Sequence, residues 1–186
     1  MSLILASASP RRREILSLIT TEFKVVVTDT DETLPSDMTV GGQIAEISRR
    51  KAGAAAKKCK ADDIILSADT AVIIDNTVLG KPKDREDAKK MLKMLSGRTH
   101  SVITAFTVLK GEKQITKVSE SFVTFNTLSE KEIENYVNTG EPLDKAGAYA
   151  VQGKSAVFIS RIEGDFFSVM GLPVNMVYET LKQFDF

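Results

Sequence analysis

The segment from Leu3 to Arg13, which reads LILASASPRRR, combines residue types that suit the binding of an anion. Ser9 and Pro10 are residues preferred at the N-cap and at the first position of a helix. Arginines follow in the first turn, where the helix dipole is positive and acidic side chains are normally favoured. Free backbone N–H groups and guanidinium groups at one place can form a phosphate or carboxylate site. Arginines in a solvated surface turn are the alternative that the sequence leaves open.

Asp69 stands in the middle of the apolar run IILSADTAVII, where a carboxylate needs a specific reason to be present. One hypothesis is a turn aspartate that links two strands. The other is a general base or a metal ligand at the mouth of a cleft. The sequence alone leaves both hypotheses open.

Two lysines also occupy positions that invite a functional explanation. Lys51 falls on the apolar face that Ile44 and Ile47 begin in a predicted helix. Such a lysine commonly snorkels to solvent, and otherwise carries its ammonium group to an anion. Lys81 follows Gly80, which allows a ligand to approach the backbone closely. An exposed loop lysine is the simpler explanation for Lys81.

A short acidic run formed by Asp29, Asp31 and Glu32 follows a predicted strand. Solvated loop acids are the default explanation, and oxygen ligands for Mg²⁺ or Mn²⁺ are the alternative. A second segment, Glu141 to Gly153, is rich in small residues and does not alternate like a strand. Loops of this kind often carry binding groups.

The elements that must position these residues alternate between strands and helices. The predicted strands are Leu3 to Leu5, Phe23 to Thr28, Ile64 to Leu66, Ala71 to Ile74, Thr99 to Leu109 with a partner reaching Phe125, and a hairpin of Ala156 to Ile162 with Phe166 to Met170. One predicted helix begins at Pro10. The other predicted helices span Gln43 to Lys58, Asp84 to Leu95, Ser129 to Asn138 and Pro173 to Leu181. This interleaving predicts a single α/β or α+β domain with a mixed sheet.

The composition excludes several classes of function. Basic and acidic residues balance at 25 each, which argues against a non-specific nucleic-acid or membrane binder. Cys59 is the only cysteine and His100 the only histidine, so a disulfide framework and cysteine- or histidine-rich metal motifs are excluded. We interpret both residues as structural. No segment approaches a transmembrane span, so we expect a soluble cytoplasmic protein.

Taken together and in order, these segments resemble the Maf family of nucleotide pyrophosphatases. The resemblance is carried by LASASPRR, Glu32, Lys51 before Ala52, SADT, LGKP, SGRTHSV, DKAGAY and the GLP before the last helix. It implies a fold related to inosine triphosphate pyrophosphatases, with a mixed twisted sheet, flanking helices and two lobes around a cleft, in one domain over residues 1–186. It also implies hydrolysis of nucleoside triphosphates to monophosphate and pyrophosphate, a divalent metal cation (Mg²⁺ or Mn²⁺) and often a homodimer.

The family roles agree with the chemistry of the residues. By the resemblance, Asp69 is the proton acceptor for the attacking water, and Glu32 with Asp69 is the expected metal site. Cationic groups for the triphosphate are expected from Arg11, Arg12, Lys51 and Lys81. Hydroxyl groups of Ser7 and Ser9 would donate further hydrogen bonds to it.

Within the family, the residues at three positions indicate which nucleotide base is preferred. The subgroup that acts on 7-methyl-GTP typically has Trp, Gln and Glu where this chain has Arg11, Thr70 and Gln152. A cationic 7-methylguanine favours a carboxylate and an aromatic face, whereas a neutral thymine or uracil suits the amide of Gln152. The resemblance therefore implies the dTTP/UTP type, with CTP and modified pyrimidine nucleotides as further substrates to test.

Two other classes of function remain as alternatives. One is a non-hydrolysing nucleotide-binding regulator of cell division, against which the intact set of Glu32, Lys51 and Asp69 argues. The other is an RNA-binding module, against which the neutral charge and the lack of a basic stripe interleaved with aromatic residues argue.

Overall fold

The chain folds into alternating strands and helices, and the computed structural model describes residues 1–31, 33 and 38–186. The strands are β1 (Leu3–Leu5), β2 (Phe23–Val25), β3 (Ile64–Ile74), β4 (Thr77–Leu79), β5 (Thr99–Lys110), β6 (Lys113–Phe125) and β7 (Ile159–Glu163). The α-helices are α1 (Pro10–Leu16), α2 (Val40–Ala56), α3 (Arg85–Leu95), α4 (Glu130–Asn138), α5 (Phe166–Met170) and α6 (Val174–Leu181). Short 3₁₀ helices cover Glu141–Asp144, Ala146–Ala148, Lys154–Phe158 and Lys182–Phe184.

The strands form a mixed sheet with the order β2-β1-β3-β5-β6-β7, and β4 pairs with β3. β1 runs parallel to both of its neighbours, so that Leu3 lies opposite Phe23 in β2 and opposite Ile64 in β3. The β3–β4 and β6–β7 pairs are antiparallel. The mixed sheet expected from the sequence is therefore confirmed.

The described chain divides into two compact units. Unit 1 consists of Met1–Asp69, Thr104–Ser119 and Gly171–Phe186, and unit 2 consists of Thr70–Ile103 and Glu120–Met170. The single domain over residues 1–186 stays a prediction. Among the described residues, no helix combines the length and the apolar character that crossing a membrane requires.

The core of unit 1 forms where α2 packs on the parallel strands. Ala52 and Ala55 of α2 lie against Ile4 of β1 and Ile65 of β3, and all four side chains are buried. The small alanine side chains let the helix backbone approach the sheet closely. Thr39 caps the start of α2, because its side chain accepts a hydrogen bond from the N–H of Gly42 at 3.2 Å.

Unit 2 has capped helices, which follow from local sequence, and an aromatic core, which joins distant residues. Asp84 caps α3, and Ser129 with Glu132 forms the predicted capping box at the start of α4. The ring of Phe125 contacts those of His100 and Tyr149 edge-on, with centroids 5.3 and 5.0 Å away. These contacts fix the start of β5 and the end of β6 beneath the segment that carries Tyr149.

Two of the predicted elements are wrong. β3 is one strand from Ile64 to Ile74, so Asp69 lies inside a strand and not in a turn between two strands. The segment Phe166–Met170 is a helix and not the second strand of a hairpin. Its first turn is capped by Asp165, whose Oδ1 accepts hydrogen bonds from the N–H groups of Phe167 and Ser168 at 2.7 and 3.2 Å.

Candidate functional site

The loop from β1 to α1 is organised by its own hydroxyl groups. Ser7 Oγ accepts a hydrogen bond from the N–H of Ser9 at 3.2 Å, and Ser9 Oγ accepts one from the N–H of Arg12 at 3.5 Å. The guanidinium of Arg12 donates through Nε to the carbonyl of Gly171 at 2.9 Å and through Nη1 to Ser7 Oγ at 3.4 Å. The predicted N-cap is therefore confirmed, and the arginine side chain is braced within unit 1.

The two other arginines of this turn differ in exposure. Arg11 is half-buried, whereas Arg13 is exposed. The solvated surface turn therefore describes Arg13 but not Arg11 or Arg12. Because α1 has only seven residues, guanidinium groups rather than a long helix dipole would supply most of the attraction for an anion.

Lys51 and Asp69 form an ion pair between α2 and β3. Lys51 Nζ donates to Asp69 Oδ1 at 2.6 Å, and the two side chains are only 15% and 17% exposed. Lys51 therefore does not snorkel to bulk solvent, because it carries its ammonium group to a carboxylate. A largely buried pair of this kind strongly constrains both side chains, since removing either charge would leave the other uncompensated.

The sheet topology places this ion pair near the β1–α1 loop. The N–H of Ala6 donates to the carbonyl of Leu66 at 2.7 Å, so the end of β1 lies beside Leu66 of β3. Asp69 lies three residues further along β3, or about 10 Å at roughly 3.3 Å per residue. β1 sits between β2 and β3 and runs parallel to both, which makes its carboxyl end a topological switch point. Such points are where open α/β sheets bind ligands.

Lys81 and Thr70 lie in unit 2 beside the small-residue segment. The N–H of Gly147 donates to the carbonyl of Gly80 at 3.0 Å, which joins this segment to the loop of Lys81. Gly147 also packs against Val72, two residues after Thr70 on β3. The side chain of Lys81 is exposed and that of Thr70 is half-buried.

Gln152 is exposed on a loop that a neighbouring carboxylate braces. Glu141 accepts hydrogen bonds from the N–H of Lys154 at 3.0 and 3.2 Å and from the hydroxyl of Tyr136 at 3.0 Å. Ser155 closes the loop through its hydrogen bonds with the N–H and the carbonyl of Ala150, at 3.0 and 2.7 Å. Sequence reasoning missed Glu141, because an acid after Gly140 looks like any exposed loop residue.

His100 is a structural residue of the unit 2 core, as expected from the sequence. It is 2% exposed, and its Nε2 shares a hydrogen bond with the hydroxyl of Tyr149 at 2.8 Å. Burial lowers the pKa of His100 from 6.5 to about 4, and burial also raises the pKa of Tyr149. Both groups are therefore neutral at physiological pH, and their hydrogen bond holds Tyr149, within the small-residue segment, against β5.

The carboxylates suit a hard metal ion only in part. Among the residues that the structure describes, no three or more His, Cys, Asp or Glu side chains form a cluster suited to a metal. Glu32, the other predicted ligand, lies outside the described residues. Asp69 is the predicted ligand that the described residues include, and Mg²⁺ is commonly held by one or two carboxylates together with substrate phosphates.

Asp31, from the acidic run before α2, forms a local hydrogen bond. Asp31 Oδ1 accepts a hydrogen bond from the N–H of Thr33 at 2.9 Å. Hydrogen bonds from Thr33 lower the pKa of Asp31, and its side chain is 72% exposed. Asp31 therefore behaves as a solvated loop acid.

Comparison with known proteins identifies relatives over almost the whole chain. The model of the family described as Maf-like protein matches residues 2–184. A dTTP/UTP pyrophosphatase of Bacillus cytotoxicus is 46% identical over 182 residues, which cover 98% of this chain and 95% of the relative. A dTTP/UTP pyrophosphatase of Bacillus cereus (strain G9842) is 43% identical over 183 residues, with the same two coverages of 98% and 95%.

Solved structures support the fold. The Ham1 protein of Staphylococcus aureus matches with a TM-score of 0.54 at 15% identity, covering 98% of this chain and 99% of that one. A HAM1 protein from Coxiella burnetii matches with a TM-score of 0.53 at 15% identity, covering 97% and 98%. The mixed α/β fold with flanking helices that the sequence predicts is therefore confirmed.

Proposed function

We propose an activity from one premise: this chain belongs to the Maf-like protein family. The chain is an enzyme, a nucleoside triphosphate pyrophosphatase that hydrolyses dTTP and UTP to the monophosphate and pyrophosphate. The observation that carries this proposal is the similarity, at 46% and 43% identity and almost full length, to relatives named dTTP/UTP pyrophosphatase. CTP and modified pyrimidine nucleotides are the further substrates to test.

In the proposed reaction, water attacks the α-phosphorus and Asp69 accepts its proton. Pyrophosphate leaves from the opposite side, so the water and the leaving group must be held in line. Lys51 donates to Asp69 Oδ1 at 2.6 Å and can therefore orient the base. As a cation, Lys51 is also proposed to attract a phosphate oxygen of the substrate.

Binding of the triphosphate is assigned to the cations and hydroxyl groups near the end of β1. Arg11 and Arg12 would bind phosphate oxygens through their planar guanidinium groups, with help from the hydroxyl groups of Ser7 and Ser9. The brace from Gly171 to Arg12 Nε supports this role, because it limits the conformations of the side chain before substrate arrives. Lys81 is also proposed, from the family resemblance, to supply a point charge for the triphosphate.

A divalent cation, Mg²⁺ or Mn²⁺, is proposed at Asp69 and Glu32. When bound, it would neutralise phosphate charge and lower the pKa of a coordinated water. Hard oxygen ligands suit these ions, and the chain has only one cysteine and one histidine to offer softer ligands.

The selection of a pyrimidine base is assigned to Arg11, Thr70 and Gln152. The exposed amide of Gln152 has both a donor and an acceptor, which match the N–H and carbonyl groups of thymine and uracil. We further propose a homodimer and a cytoplasmic location. The location fits a chain with one cysteine, and no nucleic-acid partner is proposed for a chain with zero net charge.

A product assay tests the proposed function directly. With dTTP, UTP and Mg²⁺ we expect stoichiometric monophosphate and pyrophosphate, and we expect EDTA to stop the reaction. Asp69→Asn should lose about 10²–10⁴-fold in kcat, because an amide cannot accept the proton of the water. Asp75→Asn is the control, since it changes an exposed carboxylate of unit 2 that pairs with Arg98.

The outcome also separates the proposal from its alternatives. Release of orthophosphate and diphosphate would contradict attack at the α-phosphorus. Tight nucleotide binding by calorimetry with no turnover under any metal would favour the non-hydrolysing regulator of cell division. Near-parental turnover of Asp69→Asn would remove Asp69 as the base while leaving the activity itself in place.

A further inference from the structure

A chain of buried hydroxyl groups crosses the interior of unit 1 from β3 through α2 to the hairpin of β5 and β6. Ser67 Oγ donates to the carbonyl of Ser48 at 2.7 Å, and Ser48 Oγ donates to Thr107 Oγ1 at 2.9 Å. Thr107 Oγ1 in turn shares a hydrogen bond with Thr116 Oγ1 at 2.9 Å. Ser48, Ser67 and Thr107 are all 0% exposed. We call these three residues the hydroxyl network.

The hydroxyl network lies next to the ion pair on both elements. Ser67 precedes Asp69 by two residues on β3, so their side chains share one face of the strand. Ser48 precedes Lys51 by three residues on α2, so these two share one face of the helix. Helix side chains point back toward the N-terminus, which directs Lys51 toward the level of Ser48. The hydrogen bonds between Ser48 and Ser67 thus join the same two surfaces as the ion pair.

The part of this interface formed by alanines gives little control over register. Ala52 and Ala55 face Ile65 at the same contact, and short alanine side chains make a smooth surface. Burying hydroxyl groups adds little net stability compared with well-packed apolar side chains, because each hydrogen bond must offset desolvation. Hydrogen bonds are directional, however, and they fix one position of the helix on the strand.

We propose that Ser48, Ser67 and Thr107 are positioning residues for the proposed hydrolysis, which set the alignment of Lys51 with Asp69. This inference rests on the proposed function of the ion pair. None of the three hydroxyl groups touches substrate in this assignment. They hold α2 on β3 and β5 so that Lys51 Nζ meets Asp69 Oδ1 at 2.6 Å.

Misalignment of Lys51 and Asp69 should slow catalysis more than it weakens substrate binding. Proton transfer to Asp69 depends steeply on geometry, and a displacement of about 1 Å can cost on the order of 10²-fold in rate. Attraction between the Lys51 charge and phosphate varies slowly with distance. Loss of the hydroxyl network should therefore lower kcat and change KM little.

Two variants remove hydroxyl groups with little change of shape. Ser67→Ala deletes the donor to Ser48, and Thr107→Val deletes the acceptor from Ser48 while keeping the branched side chain. Thr107→Ser keeps the hydroxyl and should rescue turnover. Thr180→Val is the control, because Thr180 is also 0% exposed in unit 1 and its hydroxyl donates within its own helix, to the carbonyl of Met176 at 2.7 Å.

The variants are compared with the parent by dTTP hydrolysis, thermal unfolding and crystal structures. We expect Ser67→Ala and Thr107→Val to lose about 10-fold or more in kcat with KM within about twofold. We expect Thr107→Ser and Thr180→Val to stay within about threefold of the parent in kcat. Assays are made well below the Tm of each variant, so that loss of folded protein does not contribute.

The result that overturns the inference differs from the one that overturns the proposed function. If the parent hydrolyses no nucleoside triphosphate, the proposed function fails. If the parent is active and both hydroxyl deletions retain its kcat, the positioning role is wrong. An unchanged Lys51 Nζ–Asp69 Oδ1 separation in crystal structures of both deletions would also overturn the inference, whatever the activity.

Discussion

At the scale of single residues, burial determines the pKa of His100. The imidazole is surrounded by the rings of Phe125 and Tyr149 and is 2% exposed. Its Nε2 has the hydroxyl of Tyr149 as a partner, whereas no partner for Nδ1 is found among the described residues. Desolvation therefore lowers its pKa to about 4, and the folded protein holds a neutral histidine.

A pH-dependent loss of stability follows from His100. Because its pKa is about 4 when folded and 6.5 in its ordinary state, the unfolded chain binds the proton first as pH falls. Folding free energy should therefore be lost as pH falls from about 6.5 toward 4, by about 1–2 kcal/mol between pH 7 and pH 5. Urea unfolding at both pH values measures this loss.

His100→Gln is the matched variant for this measurement. Glutamine can hydrogen-bond to the Tyr149 hydroxyl but does not titrate. We expect the variant to lose less stability than the parent between pH 7 and pH 5, since all other titratable groups are shared. Equal losses in the two proteins would show that His100 does not control this pH range.

The candidate ion pair shows what sequence patterns reveal about single residues and what they omit. Lys51 on an apolar helix face and Asp69 in an apolar strand each stand out as unusual in the sequence. Neither pattern predicts that the two side chains form an ion pair, because they are 18 residues apart on different elements. Tertiary packing alone brings the two charges together.

At the scale of elements, local polar residues explain where sequence prediction fails. Asp69 interrupts an apolar run, which favours two short strands, yet β3 continues through it because Lys51 compensates the charge. The run FFSVM fits a buried strand or a helix equally well by apolar pattern. Asp165 favours the helix, because its side chain caps the first turn. Strong local signals, such as the capping box at Ser129, are predicted correctly.

The turn at Gly147 limits how the small-residue segment can change. Gly147 has a φ of +67°, and an added Cβ would lie 2.9 Å from Val72 Cγ1. Its N–H also donates to the carbonyl of Gly80. Both the backbone conformation and the contact with β3 therefore require glycine at this position.

Gly147→Ala should destabilise the protein by about 1–3 kcal/mol, because the left-handed conformation and the close contact are both penalised. Gly80→Ala is the control on the other side of the same hydrogen bond. A Cβ there would meet nothing within 4 Å, and its φ is not positive. Chemical denaturation of both variants measures the difference, and similar stabilities would contradict the steric argument.

At the scale of the whole molecule, the predicted site residues divide between the two units. Unit 1 holds the predicted base and most of the predicted phosphate-binding residues, namely Ser7, Ser9, Arg11, Arg12, Lys51 and Asp69. Unit 2 holds Thr70, Lys81 and Gln152. Motif order could predict the family and the fold, because it spans nearly the whole chain. It could not predict this division, which depends on how distant segments pack.

The assignment of Gln152 to base selection predicts that a change at this residue alters substrate preference rather than catalytic chemistry. Gln152→Glu removes an amide donor and adds a carboxylate, which suits the cationic 7-methylguanine better than a neutral uracil. We expect kcat/KM for UTP relative to 7-methyl-GTP to fall by roughly 10-fold or more, in line with a loss of ~1–3 kcal/mol per mismatched polar contact. Competition assays with both nucleotides measure the ratio.

Gln183→Glu is a suitable control for the added charge, because Gln183 is exposed in unit 1, at the opposite end of the sequence from the β1–α1 loop. A full switch of substrate is not expected, since Arg11 and Thr70 keep the residues of the dTTP/UTP type. A constant ratio with retained activity would mean that Gln152 does not select the base.

The brace between Arg12 and Gly171 has a consequence for the order in which the protein is made. Its two ends are 159 residues apart, and unit 1 is assembled from three separate stretches of chain. During synthesis, the arginine leaves the ribosome long before the carbonyl that holds it exists. Contacts at such separation form slowly, because loop closure precedes any gain from the contact. The nascent chain therefore carries an unbraced arginine loop until the segment that begins at Gly171 has been translated and has docked.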